Sequence, residues 1–459
     1  MAKGQWLNPA LDYISRWVEF QMRLHEHPGA AIAIAHKGQI VLEEAFGHAD
    51  MIDGVRLTPR HRFRVASHSK SFTAAGIMKL REKHKLRLDD SVERYVRKLH
   101  PAIAKATIGQ VLSHGAGIVR DGSDCGHWFD RRPFVDADEL RSALSAPPAI
   151  AANTRLKYSN YGYGLIGLVI EEVAGESYLS WIKREIVDAA GLKETFPDMP
   201  LPRGTPFAHG HTCKLPLGRR LVTPSVKPIR ALAPAGGFVS TAHDLVRYFG
   251  QLSPNAKRSV LSVESRREMV RRQWRDPHSS VERYYGLGII SGSLEGWDWF
   301  GHSGAFQGTI TRTCVLPEHD LTMSVLTNAR DGYAEQWVDG AIRILQTFAR
   351  NGAASRKASG WTGRWWTFWN PIDLVPMGDK VLVARPDDFN PFMGANELAV
   401  QDRNKGWIKL AGGFENYGEP VRLVRNRRGT AVEFWLAGAK FLPEGKAAKE
   451  MAARFGRRR

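Results

Sequence analysis

Three cysteines, Cys125, Cys213 and Cys314, are all that 459 residues contain, and they are odd in number and widely spaced. That is too little for a disulfide framework. Long apolar runs are missing as well. No stretch approaches the roughly 20 residues that a membrane-spanning helix needs, and the opening MAKGQWLNPALDYISRW lacks the uninterrupted apolar segment of a secretory signal. These shortages point to a soluble protein in a reducing compartment, the cytoplasm, with no membrane partner. Internal repeats and low-complexity blocks are also lacking, which argues against a solenoid or a disordered chain.

Acidic residues are in deficit, 47 against 65 basic ones, for a formal charge of +18. The excess does not form one block. It clusters at residues 266–275 (RREMVRRQWR), 422–428 (RLVRNRR) and 454–459 (RFGRRR), and the first of these reads as a half-buried helix with Met269, Val270 and Trp274 on its apolar side. No nucleic-acid recognition motif accompanies the charge, so no nucleic-acid partner is expected; the charge reads as solvated surface or attraction of acidic partners.

What is present is enough apolar sequence, 43%, for a large buried core. A helix is expected over residues 9–25, with Leu11, Ile14, Trp17, Val18 and Met22 on one stripe. Residues 30–36 and 39–45 read as a hairpin turning at Lys37-Gly38, and residues 310–316 and 321–328 as a second strand pair. Between about 86 and 252 the pattern is mostly helical, and a last helix is expected over 334–349. Residues 351–359 are small and polar, like a linker. Beyond them Trp361, Trp365, Trp366 and Trp369 precede short β-like runs at 380–384, 398–400, 407–410 and 431–436. The expected organisation is a catalytic domain over 1–350, a linker, a small β-domain over 360–445, and a basic tail over 446–459.

The chemistry centres on Ser67-His68-Ser69-Lys70. A serine hydroxyl needs a neighbour to take its proton. Three residues apart on a helix, Ser67 and Lys70 share a face, and free backbone N–H groups at the helix start favour developing negative charge. S-x-x-K alone is a weak signal, because Ser180-Trp181-Ile182-Lys183 also fits. That second match is read as lying inside an amphipathic helix, with no helix end to serve its serine.

Context separates the two. FRVASHSKSFTA, around Ser67, resembles the nucleophile region of class C β-lactamases, D-aminopeptidases and related esterases. Further segments resemble that serine β-lactamase-related, penicillin-binding-protein-like family in order: AAIAIAHKGQIVLEEA, Leu88-Asp89-Asp90, VLSHGAG, Tyr158-Ser159-Asn160 as a Y-x-N box, PAGGFVSTAHD, and His302-Ser303-Gly304 as a third box. The resemblance implies an α/β (α+β) transpeptidase-like fold, with an antiparallel sheet flanked by helices and a helical subdomain. A lipocalin-like β-barrel follows, as in some relatives, where it governs access or specificity.

The resemblance also implies roles. Ser67 forms the acyl-enzyme, Lys70 takes its proton, and Tyr158 relays protons to the leaving group. Asn160, His302, Gly304 and Ala305 bind substrate, with the N–H groups of Ser67 and Ala305 as the oxyanion hole. His302 stands where true β-lactamases carry a lysine, which favours the D-aminopeptidase and esterase branches. The implied function is a serine hydrolase of small amides or esters, with D-amino-acid amides and peptides first. A carboxylesterase, a weak β-lactamase and a silent scaffold of the same fold are the alternatives. No metal or organic cofactor is needed, and a homo-oligomer stays open.

Three other patterns are read as structural. Gly162-Tyr163-Gly164-Leu165-Ile166-Gly167 follows no buried strand, so it is taken as close helix packing rather than a dinucleotide site. His209-Gly210-His211-Thr212-Cys213 has metal-like residues without a fourth partner at regular spacing. His114 is taken as fixing a loop.

Overall fold

Small apolar residues fill Gly29–His36, and every position but the last is buried, as a strand covered on both faces requires. It pairs antiparallel with Gln39–Asp50 on one side and Leu321–Thr327 on the other. The hairpin turns at Lys37 (φ 52°) and Gly38 (φ 77°), where a two-residue turn needs both residues left-handed. Nine antiparallel strands complete this sheet. From edge to edge they are Val55–Arg56, Gln39–Asp50, Gly29–His36, Leu321–Thr327, Thr309–Leu316, Trp297–Phe306, Ile290–Leu294, Arg283–Tyr285 and Trp274–Arg275. It is therefore built from the two ends of its domain. The computed structural model describes residues 6–412 and 414–456.

Between the two sets of strands the chain is largely helical. The helix Ser69–Glu82 is buried along nearly its whole length. Gly76 lets the Trp181-Ile182 side chains approach it: a Cβ there would lie 2.9 Å from Ile182 Cδ1. The helix Asn160–Ala174 runs beside it, and its glycines serve the same end. A Cβ at Gly164 would meet Leu140 at 2.7 Å, and one at Gly167 would meet Pro234 at 2.4 Å. The helix Ala242–Gln251 packs on the central strands. The basic stretch at 266–275 departs from its expected single helix. Val263–Val270 is helical, Arg271 leaves the helical region (ψ 128°), and Trp274 belongs to the edge strand.

The chain forms two compact units, Glu26–Val338 and the described residues of Met1–His25 with Asp339–Arg459. This partition differs from a boundary near 350. The first helix, Leu7–Leu24, groups with the later strands because Trp17 Nε1 donates to Asp388 O (3.3 Å), Gln21 Nε2 donates to Pro386 O (2.6 Å), and Tyr13 lies 5.5 Å from Phe392. The helix Ala334–Asn351 begins in one unit and ends in the other.

In the second unit eight antiparallel strands follow in sequential order, from Gly363–Trp366 to Ala439–Phe441. A bridge between Trp366 and Leu442 brings the last edge back to the first, so the sheet nearly closes into a barrel. Trp361, Trp365, Leu398, Ile408 and Phe434 form its core. Ala358, in the stretch read as a linker, is buried in that core as well. The basic tail is helical as Glu444–Phe455, and Arg457–Arg459 lie outside the described residues.

Candidate active site

The nucleophile candidate sits on a strained turn. Residues Ala66–His68 form a short 3-10 segment and the α-helix proper begins at Ser69, so Lys70, not Ser67, occupies the first α-helical turn. Ala66 has φ 48°, a left-handed conformation that costs a residue with a Cβ about 1–2 kcal/mol. Surrounding bonds hold it there. Ser69 Oγ donates to Ala66 O (2.5 Å) and accepts from Phe238 N (3.0 Å), and Val65 N donates to Phe238 O (3.0 Å).

His68 pins the turn to the sheet. Its Nδ1 meets Val65 O and its Nε2 meets Thr313 Oγ1, both at 2.9 Å, and burial drives its pKa down to about 3. The ring is neutral and structural. Gly304 completes the seat, because a Cβ there would lie 2.1 Å from Val65 O and 2.6 Å from Thr311 Oγ1. Ser67 alone of residues 65–70 keeps appreciable exposure, and it faces the cleft.

Lys70 is fully buried. Its Nζ lies 3.1 Å from Ser67 Oγ, 2.8 Å from Asn160 Oδ1 and 2.7 Å from Ala235 O. An ammonium spends all three protons on these contacts. A neutral amine keeps two for Asn160 and Ala235 and turns its lone pair to Ser67. Burial favours the second state, holding the pKa well below the usual lysine range; Asp121 opposes that shift and Arg120 adds to it. On the other side of Ser67, Tyr158 donates its hydroxyl proton to Oγ at 2.9 Å. Burial raises its pKa, so it is held as the phenol.

His302 is 1% exposed and both its ring nitrogens are in use. Its Nδ1 lies 2.7 Å from Ser303 O and its Nε2 lies 3.1 Å from Tyr285 OH. Burial depresses its pKa strongly, so the third-box position carries an uncharged ring here rather than a partly protonated one. Ala305, three residues on, is exposed in the cleft. His114 accepts from Ser159 N (3.1 Å) and packs its ring at a tilt against those of Tyr158 (4.2 Å) and Tyr285 (4.6 Å), fixing the loop beside the Y-x-N box.

The cleft has a volume of about 1450 Å³ and belongs wholly to the unit Glu26–Val338. Ser67, Tyr158, Asn160, His302, Gly304 and Ala305 all line it. Trp128, Phe129, Leu215 and Leu217 give it apolar walls, while Arg120, Asp121, Arg283 and Glu335 add both signs of charge. The sequence reading missed Asp121, Trp128 and Tyr285, which sit in segments with no motif of their own. Asp121 follows VLSHGAG by four residues, and with Asp124 and Asp130 close by in the sequence its acidic side chain did not mark it out.

The patterns set aside behave otherwise. Ser180 does stand in the first turn of a short helix, Tyr178–Ile182, contrary to its reading as mid-helix, but it is exposed and hydrogen-bonded to Ser177 (2.9 Å). Lys183 pairs with Asp188 instead of Ser180. His211 meets Asn328 O (2.9 Å) and Met51 N (3.3 Å) through its two ring nitrogens. Among the described residues no cluster of three or more potential metal ligands occurs, and no helix is long and apolar enough to cross a membrane.

Comparison with known proteins bears on the family and the fold. The beta-lactamase family model matches residues 14–346. Penicillin-binding protein 4 of Amycolatopsis lactamdurans is 28% identical over 70% of this chain and 85% of its own. The octameric penicillin-binding protein homologue from Pyrococcus abyssi superposes with a TM-score of 0.66 at 22% identity, covering 94% of this chain and 99% of that one. The D-amino acid amidase from Ochrobactrum anthropi SV3 superposes with a TM-score of 0.65 at 21% identity, over 73% and 99%. At such identities these structures establish the fold, a β-lactamase/transpeptidase-like sheet with flanking helices. With its family model spanning most of the sequence and its fold shared with penicillin-binding-protein homologues, this chain belongs to the beta-lactamase family.

Proposed function

We propose that the protein is a serine hydrolase of the S-x-x-K type, acting through a Ser67 acyl-enzyme on small amides or esters, with D-amino-acid amides and peptides the leading class. One observation carries this: Ser67 Oγ lies between Lys70 Nζ (3.1 Å) and Tyr158 OH (2.9 Å) at the floor of the cleft. Neutral Lys70 takes the hydroxyl proton as Oγ attacks the carbonyl carbon. The resulting oxyanion is held by the N–H groups of Ser67 and Ala305. Tyr158 gives its proton to the leaving amine or alcohol and regains one from Lys70 as the C–N or C–O bond breaks. Water then repeats the sequence, its proton passing to the same base, and the acid leaves with Ser67 restored.

The placing of amides and esters ahead of β-lactams rests on the third box. A true β-lactamase fixes a substrate carboxylate with a cation there, whereas His302 is neutral and its ring nitrogens are committed to Ser303 and Tyr285. Within that group, the fold neighbour named as a D-amino acid amidase favours D-amino-acid amides.

Intact-protein mass after treatment with a fluorophosphonate tests the reading. A single adduct is expected on the wild type and on Ser180→Ala, and none on Ser67→Ala. An unlabelled wild type sinks the proposal and brings the silent scaffold forward; an adduct that survives Ser67→Ala sinks it by assigning the nucleophile to another residue. Given the adduct, D- and L-aminoacyl amides, simple esters and a β-lactam assayed side by side rank the substrate classes.

A further inference from the structure

Asn160 is held at both ends. Its Oδ1 faces Lys70 Nζ at 2.8 Å and its Nδ2 donates to Asp121 Oδ1 at 2.7 Å. A carboxylate only accepts hydrogen bonds, so Asp121 decides which end of the amide turns toward it, and by elimination the carbonyl turns toward Lys70. Asp121 is in turn fixed by Trp128 Nε1 on the same oxygen (2.7 Å) and by Arg120 Nε on the other (3.1 Å), and its side chain is only 12% exposed.

We propose that Asp121 is a positioning residue that acts on Lys70 through Asn160, orienting the amide carbonyl onto Nζ and setting how readily the amine holds a proton. The inference rests on the reading of Ser67 and Lys70 as nucleophile and base. An amine buried among neutral groups has little hold on a proton. The rings of Tyr158 and Tyr163 lie 4.7 and 5.5 Å from Nζ, and His114 and His302 face it uncharged. Against that neutral cage Asp121 contributes negative charge and Arg120 positive. Their balance fixes where the base loses its proton, and the Asn160 bridge makes the contact directional. Sequence spacing hides this, since Lys70, Asp121 and Asn160 come from three separate segments.

The rate of fluorophosphonate labelling, followed against pH, reads the base in the free enzyme without requiring a known substrate. Asp121→Asn is expected to move the acid limb down by about one pH unit, as loss of a nearby opposite charge does, and to lower the plateau because the amide is free to turn over. Asp121→Glu is expected to restore the wild-type limb. Trp128→Phe removes a hydrogen bond but no charge, and is expected to leave the limb in place. Arg120→Gln, at a largely exposed side chain, is expected to shift it upward, and it keeps the test alive should Asp121→Asn fail to fold.

An acid limb unmoved in both Asp121→Asn and Arg120→Gln overturns the proposal, as does a Trp128→Phe shift equal to that of Asp121→Asn. Loss of labelling in the wild type, or its persistence in Ser67→Ala, strikes instead at the Ser67 reading and is told apart on that ground.

Discussion

The residues nearest the proposed chemistry are of two kinds, and the sequence displays only one of them. Ser67, Lys70, Tyr158 and Asn160 stand in motifs, so their types and order were legible. Asp121, Trp128 and Tyr285 act through contacts made by remote segments, and no spacing announces them. His68 shows the opposite failure of appearance. It lies inside the motif, yet its ring nitrogens are spent on Val65 and Thr313. Gly304 offers the sharpest test at this scale. A methyl group there would stand 2.1 Å from Val65 O, and that backbone oxygen cannot yield without moving the turn that carries Ser67. Gly304→Ala is therefore expected to cost about 3 kcal/mol or more in urea unfolding and to suppress fluorophosphonate labelling together with stability.

Among the elements, long periodic segments were readable and short strands were not. The helix expected over 9–25 is Leu7–Leu24, and the strand expected over 431–436 is Ala431–Leu436. The short strands Trp274–Arg275, Arg283–Tyr285 and Ile290–Leu294 were missed, because two to five residues carry no period and depend on the neighbours that complete their ladder. The glycine-rich run at 162–167 gained its meaning only with Leu140 and Pro234 placed against it. One helix end bears directly on the proposed site. Ser159 Oγ accepts from Gly162 N (2.8 Å), capping Asn160–Ala174, and donates to Val119 O (2.7 Å). Ser159→Ala should lower stability by about 1–2 kcal/mol. Since its neighbours on either side are Tyr158 and Asn160, the labelling rate should fall by more than the loss of folded protein accounts for.

For the molecule as a whole, buried imidazoles set the response to acid. Burial lowers the pKa of His68, His114 and His302 below the ordinary value of 6.5. Above that value each is neutral folded or unfolded and contributes no pH dependence. As pH falls through about 6.5 the unfolded chain takes up protons that the native state refuses, so stability is lost. For His68 the loss continues to about pH 3. Each such ring can contribute a slope of up to about 1.4 kcal/mol per pH unit. Melting temperature is thus expected to drop steadily from pH 7 to pH 5, and His68→Gln, if it folds, to shallow that slope; a flat profile would count against the buried neutral rings. None of this was visible in composition, where the 16 histidines look alike.

The central sheet also imposes an order in time. Ala30 finds its partner in Thr327, and at a synthesis rate of about 5–20 residues per second the earlier strand emerges on the order of 15–60 s before the later one. Until then Gly29–His36, apolar and unpaired along one edge, is a segment for chaperones to shield. The turn bearing Ser67 waits too, since Thr313, to which His68 is moored, is made late. A chain released early would carry the motif intact and have no floor on which to set it.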